Sequence, residues 1–493
     1  MDRTLHEPAT KTIDTAIVLT SSGLFALTTE TRPDASQAHG DAQCVAGLSP
    51  FQRTLLTLQR GGISQIWVLA GPEERALRAI LQRDHRIHAA VRWLPIREFP
   101  PAQAETWETL AEEIKGSCVV MSCHAVCSPS LIHRLRKEGA DGRVLVVVGY
   151  VGHGGYPDNP RVNITAEEIR HLRHIPQIVF HDRSSASQDQ PIANEEEPRL
   201  VAGDVVVLPA RLFGVSGMLR AHGSNPLRLA LEQAAVEGVL QPIDGEPHQY
   251  CDIRCPDGPR LAESKLLRSL QSLKGGLDGF IDTHLNRKFS GILTRWFLQA
   301  GWSPNAITIL SMLLGLVSAG CFAVGSYALG VLGALLLQLA VIIDCCDGEV
   351  ARLTYSETKF GQELDIWADN VVHIAVFAGI AWGAYRYGPW AGSQIPLILG
   401  AVTVMANVLS FLFVNYARSL RSRPHVLRRL GVQTRDRIEF MLSRVANRDF
   451  SIVVMVFACL DMLSWFLWLA APGSLFFAAT MGWLLRGAIR LRA

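Results

Sequence analysis

Four aspartates lie at the margins of apolar segments in the second half of this chain of 493 residues. Asp344 and Asp347 are three residues apart, and Asp365 and Asp369 are four residues apart. On two helices each pair lies on one face, so both pairs can converge on one point. Ionised carboxylates at membrane depth need a cation or water to compensate them, so a cluster of four predicts a functional cation site. Such hard oxygen ligands suit Mg²⁺ or Mn²⁺.

These aspartates belong to a longer pattern, which reads D-x-x-D-G-x-x-A-R-x8-G-x-x-x-D-x-x-x-D over residues 344–369. The fixed positions between the two acid pairs are Gly348, Ala351, Arg352 and Gly361. The pattern resembles, without departure, the signature of the CDP-alcohol phosphotransferase family, and the resemblance extends over the apolar C-terminal half. In a simpler interpretation the acids only pair with nearby basic side chains, but that leaves the other matched positions unexplained.

The resemblance implies a role for each acid in a reaction at a pyrophosphate. Asp344 and Asp365 would bridge two metal ions, Asp347 would complete the first ion's ligands, and Asp369 would contact the second ion and act as general base. Metal ions neutralise the phosphoryl oxygens and a carboxylate removes the proton of the acceptor hydroxyl, which is what this displacement needs. The resemblance places Asn305, Thr308, Gly348, Arg352, Thr358 and Gly361 around the CDP group. For Asn305 and Thr308 helix capping is an equally good interpretation.

The substrates implied are a CDP-alcohol donor, lipid or polyol, and an acceptor hydroxyl. Seven arginines between residues 418 and 437 predict that the acceptor is phosphorylated, although anionic lipid headgroups would bind the same charge. Within this segment Arg435 and Arg437 resemble a basic element that family members using inositol phosphate place at the acceptor pocket. The resemblance also implies a homodimer and membrane lipids as partners, and no nucleic acid.

The elements that carry the motif are predicted to be membrane helices of a domain over residues 301–493. Basic residues cluster before the first segment, between the second and third, and between the fourth and fifth, which predicts both termini and the active site in the cytosol. The predicted spans are Ala306–Val324, Ala328–Ile343, Ile366–Tyr385, Ile395–Tyr416, Ile452–Ala471 and Ser474–Ile489.

Residues 1–255 are predicted to form a Rossmann-like α/β domain, so the fold class is α/β followed by an all-α domain of six transmembrane helices. Apolar, β-branched runs alternate with helical patterns, which is typical of a mostly parallel sheet covered on both faces. The predicted strands are Thr15–Leu19, Gln65–Ala70, Cys118–Met121, Val144–Val148, Gln177–Phe180 and Val205–Leu208, and Ser184–Pro198 is predicted to be a surface loop. The polar segment Met1–Thr12 is not expected to be a signal peptide.

This first domain resembles sugar or polyol-phosphate nucleotidyltransferases, with two departures. The family's G-x-G-x-R phosphate loop is replaced by residues 21–25, which hold no Arg or Lys, and a metal-binding aspartate of the family falls at His124. A second acid is retained as Asp252. Two interpretations stay open: a domain that has lost its chemistry and acts as a scaffold or sensor, or a variant site that makes the CDP-alcohol. The domain order resembles the bifunctional inositol-phosphate cytidylyltransferase and di-inositol-phosphate phosphate synthase proteins.

Residues 256–300 are predicted to link the two domains. The segment Phe280–Gly301 mixes apolar residues with Arg287, Lys288 and Arg295, a pattern typical of a helix in the membrane interface. An amphipathic helix packed on the soluble domain would show the same periodicity.

Single features of the sequence suggest two alternatives to a phosphotransferase, a cation transporter and a silent scaffold, and one additional site for zinc. The acidic cluster suits a cation transporter, but the D-G-x-x-A-R spacing and the lack of inverted repeats argue against one. A silent scaffold is at odds with an intact motif. Ten cysteines form no C-x-x-C pair, and Cys123, His124, Cys127, Cys251 and Cys255 are too loosely spaced to indicate zinc, so reduced cytosolic thiols are expected.

Overall fold

The computed structural model describes residues 12–20, 24, 44–114, 116–150, 200–212, 226–244, 248–254, 257–272, 287–421 and 450–490. The chain divides into two compact units, Met1–Ser269 and Leu270–Ala493. The first unit alternates strands and helices, and the second is helical.

The first unit has the following described elements. Its strands are β1 (Thr15–Leu19), β2 (Gln65–Ala70), β3 (Ala90–Pro95), β4 (Ser117–Ser122), β5 (Ala125–Cys127), β6 (Val144–Tyr150), β7 (Leu200–Pro209), β8 (Leu240–Asp244) and β9 (Tyr250–Asp252). Its helices are α1 (Pro50–Arg60), α2 (Glu74–Arg83), α3 (Ala104–Glu113), α4 (Pro129–Glu138), α5 (Pro226–Val236) and α6 (Gly258–Ser272).

The main sheet is mixed, and its described strands run in the order β3-β2-β1-β4-β7-β6-β8. Pairing is parallel from β3 through β4 and between β6 and β8, whereas β7 runs antiparallel to both of its neighbours. Strands β5 and β9 pair antiparallel beside it, Val126 opposite Cys251. The predicted α/β class with a mostly parallel sheet is confirmed, with β7 as the antiparallel exception.

Alternate residues of the inner strand β1 enter two different cores. Ile17 and Leu19 lie in the cluster on one face of the sheet, and Ala16 and Val18 lie in the cluster on the other face. All four are at most 1% exposed. Side chains alternate between the faces of a strand, so a continuous apolar run marks a sheet covered on both sides. The predicted strand Gln177–Phe180 and loop Ser184–Pro198 lie outside the described residues.

The second unit has the following described helices. They are α7 (Arg287–Gln299), α8 (Pro304–Val324), α9 (Tyr327–Leu353), α10 (Lys359–Arg386), α11 (Ile395–Arg421), α12 (Phe450–Cys459) and α13 (Leu463–Arg490). In the described part of the chain, five of them are long and apolar enough to cross a membrane: α8, α9, α10, α11 and α13. The all-α class is confirmed, and a count of six spans stays a prediction.

The predicted boundary between the last two spans is wrong. The predicted connection at residues 471–473 lies inside α13, which continues through Pro472. The interruption comes earlier, at residues 460–462, where Asp461 has a positive φ of 57° and the Met462 amide donates to the Phe457 carbonyl at 2.8 Å. An aspartate tolerates this left-handed conformation, whereas a membrane helix accommodates proline when neighbouring groups satisfy the freed carbonyl.

Close packing between α8 and α10 holds the two ends of the motif in one bundle. A Cβ atom on Gly379 would lie 2.4 Å from the Ala319 carbonyl oxygen, and one on Gly383 would lie 2.2 Å from the Phe322 carbonyl oxygen. Helix α9 also packs against α8, where the Ser318 hydroxyl donates to the Gly333 carbonyl at 2.7 Å. Small residues therefore bring three helix backbones together, and with them the ends that carry the motif.

Candidate functional site

The candidate site lies where three helix ends meet. The N-terminal turns of α8 and α10 and the C-terminal turns of α9 carry all of the described motif residues. Ser303 caps α8 by accepting from the Ala306 amide, and Thr358 caps α10 by accepting from the Gly361 amide at 2.9 Å. The predicted placement of the two acid pairs on two different helices is confirmed. The capping oxygens fix where each helix begins, and so fix how far along the helix axis its site residues lie.

Three of the four predicted aspartates converge. One carboxylate oxygen each of Asp344, Asp365 and Asp369 lies within 4.8 Å of the others. Asp344 is buried, and the two acids of α10 are partly exposed. Because Asp365 and Asp369 are one helical turn apart, α10 presents both of them to the face of α9 that carries Asp344.

The fourth aspartate is held by a hydroxyl group. Asp347 is buried, and its Oδ2 accepts a short hydrogen bond from Thr308 Oγ1 of α8. Ser311, one turn further along α8, donates to Asp344 Oδ1 at 3.4 Å. Hence α8 contributes hydroxyl groups that orient both carboxylates of α9. Asp347 lies outside the three-acid group, so its role as a ligand stays a prediction, as does contact of Thr308 with a nucleotide.

The other predicted nucleotide contacts fall into two neighbouring sets. A Cβ on Gly361 would lie 3.0 Å from Asn305 Oδ1 and 3.1 Å from Thr358 Oγ1, so these three residues meet at the start of α10. On α9, a Cβ on Gly348 would lie 3.4 Å from the terminal nitrogens of Arg352. In both sets a glycine leaves room beside polar side chains, as a phosphate or sugar approaching the backbone requires.

Arg352 offers a guanidinium group to this space. Within the described ranges, its Nε is buried without a hydrogen-bond partner. A buried donor without a partner costs free energy, and an anionic ligand would supply the missing acceptor. A phosphate oxygen could accept a hydrogen bond from the Nε of Arg352.

A cavity of about 750 Å³ contains the acids and extends beyond them. Its polar lining includes Asp344, Asp365, Asp369 and Arg352, and Arg418 near the end of α11 also lines it. Its apolar lining comes from all six helices from α8 to α13: Met312, Leu337, Phe377, Phe411, Val414, Phe450, Phe466 and Phe477. The site can therefore hold a molecule with an anionic part at the acids and a further part against apolar walls.

The donor set fits a hard divalent cation. Mg²⁺ holds oxygen ligands at about 2.1 Å, so two oxygens on opposite sides of one ion are about 4.2 Å apart. The three carboxylate oxygens lie within 4.8 Å of one another, which is close to this spacing, and all are of the type that Mg²⁺ and Mn²⁺ prefer. Asp344, Asp365 and Asp369 are the residues that would hold it.

Sequence reasoning missed several polar residues around the acids. Ser311 and Glu349 are buried beside them, and His373 and Asn407 line the cavity. The i,i+4 spacing of Asp365, Asp369 and His373 placed the histidine on the acidic face, which was a usable signal. No local pattern identified Ser311, because its partner Asp344 is 33 residues away.

The first unit holds a second charged cluster, built around an arginine. Arg254 forms ion pairs with Asp204 and with Asp252, the latter at 2.7 Å. The amide of Leu24 donates to Asp204 Oδ1 at 3.2 Å. Asp252, the acid that the resemblance assigns to metal binding, therefore already has a cationic partner within the protein.

His124 takes no part as an acid in this cluster. Burial, together with the nearby Arg254 charge, lowers the pKa of His124 to about 4, and Asp252 and Glu73 oppose this shift only in part. Its Nδ1 lies 3.2 Å from Ser122 Oγ. At neutral pH the ring is uncharged, and an uncharged imidazole beside a guanidinium is a poor replacement for a carboxylate that binds Mg²⁺.

Several predicted residues lie outside the described part of the chain. Arg435 and Arg437, predicted to contact the acceptor, fall within residues 422–449, and the predicted loop at residues 21–25 is described only at Leu24. Cys255, which belongs to the cysteines that were not expected to bind zinc, is also outside. These assignments stay predictions.

Comparison with known proteins identifies relatives of both halves. Residues 302–476 match the sequence profile of the family described as CDP-alcohol phosphatidyltransferase. A protein of Aquifex aeolicus named bifunctional IPC transferase and DIPP synthase is 31% identical over 166 residues, which are 33% of this chain and 37% of that protein. A protein of the same name from Rubrobacter xylanophilus is 27% identical over 368 residues, 73% of this chain and 76% of that protein.

A solved structure is also similar to the second half. It is Mycobacterium tuberculosis phosphatidylinositol phosphate synthase with CDP-DAG bound, at 22% identity and a TM-score of 0.29, and the match covers 41% of this chain and 94% of that one. Across four bifunctional relatives, the matched part ranges from 37% to 76% of their length. The match of residues 302–476 to the family profile confirms, for the C-terminal half, the family predicted from the motif.

Proposed function

We propose that this chain, whose residues 302–476 form a CDP-alcohol phosphatidyltransferase domain, is an integral membrane enzyme that transfers a substituted phosphate from a CDP-alcohol to an acceptor hydroxyl and releases CMP. The observation that carries the proposal is the convergence of Asp344, Asp365 and Asp369 within 4.8 Å inside a cavity that also holds Arg352. Acids for a cation and a guanidinium for phosphate are the two groups that this displacement needs together.

The chain's own residues then divide the work. Arg352 donates to a phosphate oxygen of the donor, and Asn305, Thr358 and Gly361 line the approach of the nucleotide. Thr308 and Ser311 hold the carboxylates of α9 in place through their hydroxyl groups. Asp369, partly exposed on α10, removes the proton from the acceptor hydroxyl as its oxygen attacks the phosphorus atom.

Two Mg²⁺ or Mn²⁺ ions complete the proposal for this site. Asp344 and Asp365 would hold both of them, Asp347 one, and Asp369 the other. When bound, these ions neutralise the charge of the pyrophosphate and of the departing CMP. The carboxylate oxygens supply only hard ligands, which supports Mg²⁺ or Mn²⁺ over softer metals.

The domain limits and orientation are proposals of the same kind. We take residues 1–255 as the α/β domain, 256–300 as linker and interfacial helix, and 301–493 as the membrane domain, which pairs with a second copy. Arg352, Lys359 and Arg418 lie at the helix ends that form the site, which supports a site facing the cytosol. On α7, Phe289, Ile292 and Trp296 are more than half exposed, as in a helix at the lipid surface.

The first prediction is that the purified full chain releases CMP in a metal-dependent manner. We expect turnover when Mg²⁺, a donor and an acceptor are all present, and loss of turnover with EDTA that added Mg²⁺ restores. Donors should include a CDP-linked lipid and a CDP-linked polyol, and acceptors should include free and phosphorylated polyols. A radiolabelled cytidine assay measures the product. Absence of CMP with every pair would contradict the proposal, and metal-dependent ion flux in vesicles without CMP would favour the transporter.

The second prediction is that the full chain releases no pyrophosphate from CTP. Arg254 neutralises Asp252, and His124 supplies no carboxylate, so neither of these two positions provides an acid for Mg²⁺ with a triphosphate. We expect a rate below about 10⁻³ s⁻¹ with inositol phosphate or glycerol phosphate, against about 1 s⁻¹ or more for an ordinary enzyme. Enzyme-coupled pyrophosphate detection measures it, with inorganic pyrophosphate as the positive control.

The outcome of that assay decides between the two interpretations of the first unit. Release near 1 s⁻¹ would make the protein bifunctional and would mean that Arg254 moves away from Asp252 when CTP binds. We propose the silent scaffold. Arg254 pairs with both Asp204 and Asp252, so its positive charge replaces the cation that these carboxylates would otherwise bind.

A further inference from the structure

A buried glutamate, Glu349, forms hydrogen bonds between α9 and α7. It lies in the same turn of α9 as motif residues. Glu349 is 6% exposed, and each of its two carboxylate oxygens accepts one hydrogen bond from α7. Ser290 Oγ donates to Oε1 at 3.1 Å, and Thr294 Oγ1 donates to Oε2 at 2.7 Å. Both hydroxyl-bearing side chains are fully buried. A buried carboxylate is tolerated only when such donors compensate it, so the contact is a specific one.

The rest of this interface is close and mostly apolar, and it adds one weak hydrogen bond from a thiol. Cys346, one turn before Glu349, is fully buried with its sulfur 3.6 Å from the Ser290 carbonyl oxygen. Phe297 is also buried on α7. Apolar packing of this kind resists separation but leaves rotation and sliding less defined than hydrogen bonds do. The two hydrogen bonds of Glu349 supply that definition.

The position of Glu349 ties this interface to the site. It lies two residues after Asp347 and three before Arg352, and directly follows Gly348. Since residues two apart are separated by about 200° around a helix, a hold on Glu349 fixes the rotation of the turn that presents Asp347 on its other side. Thr308 of α8 donates a hydrogen bond to Asp347, so this turn of α9 is hydrogen-bonded to α8 as well as to α7.

We propose that Glu349 is a positioning residue: its carboxylate, held by Ser290 and Thr294 of α7, fixes the rotation of the α9 turn that presents Asp344, Asp347 and Arg352. This inference rests on the proposed phosphotransferase function. In this proposal α7, a helix at the lipid surface, sets the orientation of the site residues on α9.

The test compares full-length variants in lipid nanodiscs by three measurements: kcat and KM for CMP release, the dissociation constant for Mn²⁺ by electron paramagnetic resonance, and the thermal unfolding midpoint. For Glu349→Leu we expect kcat to fall about 100-fold, KM for the donor to change less than about threefold, and Mn²⁺ binding to weaken about tenfold. Glu349→Gln, which keeps one acceptor oxygen, should lose no more than about fivefold in kcat.

A triple variant separates positioning from stability. Glu349→Leu with Ser290→Ala and Thr294→Val removes all three polar groups, so no buried donor is left without a partner and the unfolding midpoint should recover to within a few degrees. Positioning predicts that kcat nonetheless stays at least about tenfold low, because apolar packing does not fix rotation. Recovery of kcat together with the midpoint would overturn the proposal, as would near-normal kcat in Glu349→Leu.

The matched control lies on the same helix, away from the site. Gln338 of α9 accepts from Ser451 of α12 at 2.9 Å, so Gln338→Leu also removes a hydrogen bond between helices. It should leave kcat and Mn²⁺ binding unchanged. If Glu349→Leu does not fold, Thr294→Val alone should lower kcat about tenfold, and no effect there counts against the proposal. If the wild type releases no CMP, the proposed function fails, and weaker Mn²⁺ binding by Glu349→Leu than by Gln338→Leu still decides the role of Glu349.

Discussion

Asp365→Asn is expected to abolish CMP release, with a loss of at least about 1000-fold in kcat/KM. Asp365 is one of three acids whose oxygens lie within 4.8 Å of one another, and by the proposed assignment it contacts both cations. An asparagine of the same size keeps one oxygen but loses the negative charge. Asp344, Asp347 and Asp369 then remain, and only Asp344 would still contact both cations, so both ions and the donor should be lost together.

The measurements are CMP release and Mn²⁺ binding by electron paramagnetic resonance on the full chain. We expect Asp344→Asn to behave like Asp365→Asn, and both variants to keep the wild-type unfolding midpoint within a few degrees in the absence of metal. The matched control is Asp461→Asn, the same change at an exposed aspartate of the second unit, at the break between α12 and α13. Near-normal turnover in either site variant would falsify the two-metal assignment.

The parts of the fold that were predictable from the sequence are those whose signal is local. The strands at Thr15–Leu19 and Gln65–Ala70 end where their apolar runs end, and α8 begins within two residues of the predicted start of the first span. The acid pairs were predictable because helical spacing alone determines which side chains share a face. For the same reason the convergence of Asp365 and Asp369 needed no knowledge of the rest of the bundle.

The parts that were not predictable depend on contacts between distant residues. Thr308 was predicted to cap a helix or contact a nucleotide, but its hydroxyl donates to Asp347, 39 residues away. The ion pair of Arg254 with Asp204 joins residues 50 apart, and it holds beside Asp252, the predicted metal ligand, an arginine that also pairs with that acid. The break at residues 460–462 was missed because Pro472 and Gly473 are the stronger local signal, although tertiary packing keeps α13 helical through them.

Asp369→Asn is the second large effect, and it should separate rate from binding. We expect kcat to fall by about 100- to 1000-fold, the range that a positioned general base contributes. Asparagine retains an oxygen toward the cation site but accepts no proton. The dissociation constants for Mn²⁺ and for the CDP-alcohol should therefore change less than about fivefold. Single-turnover CMP release gives the rate of the chemical step, and calorimetry gives the donor affinity.

Comparing Asp369→Asn with Asp365→Asn tests the base role, because both acids are on α10 one turn apart and both contribute to the three-acid group. If the two residues were equivalent ligands, the same substitution at each would weaken metal binding and rate to the same degree. A general base at Asp369 instead predicts that its asparagine variant binds donor and metal and then turns over slowly. Should binding and rate fall together in Asp369→Asn, Asp369 is a ligand only, and the proton must be taken by another group that lines the cavity, of which His373 on the same face of α10 is the first to test.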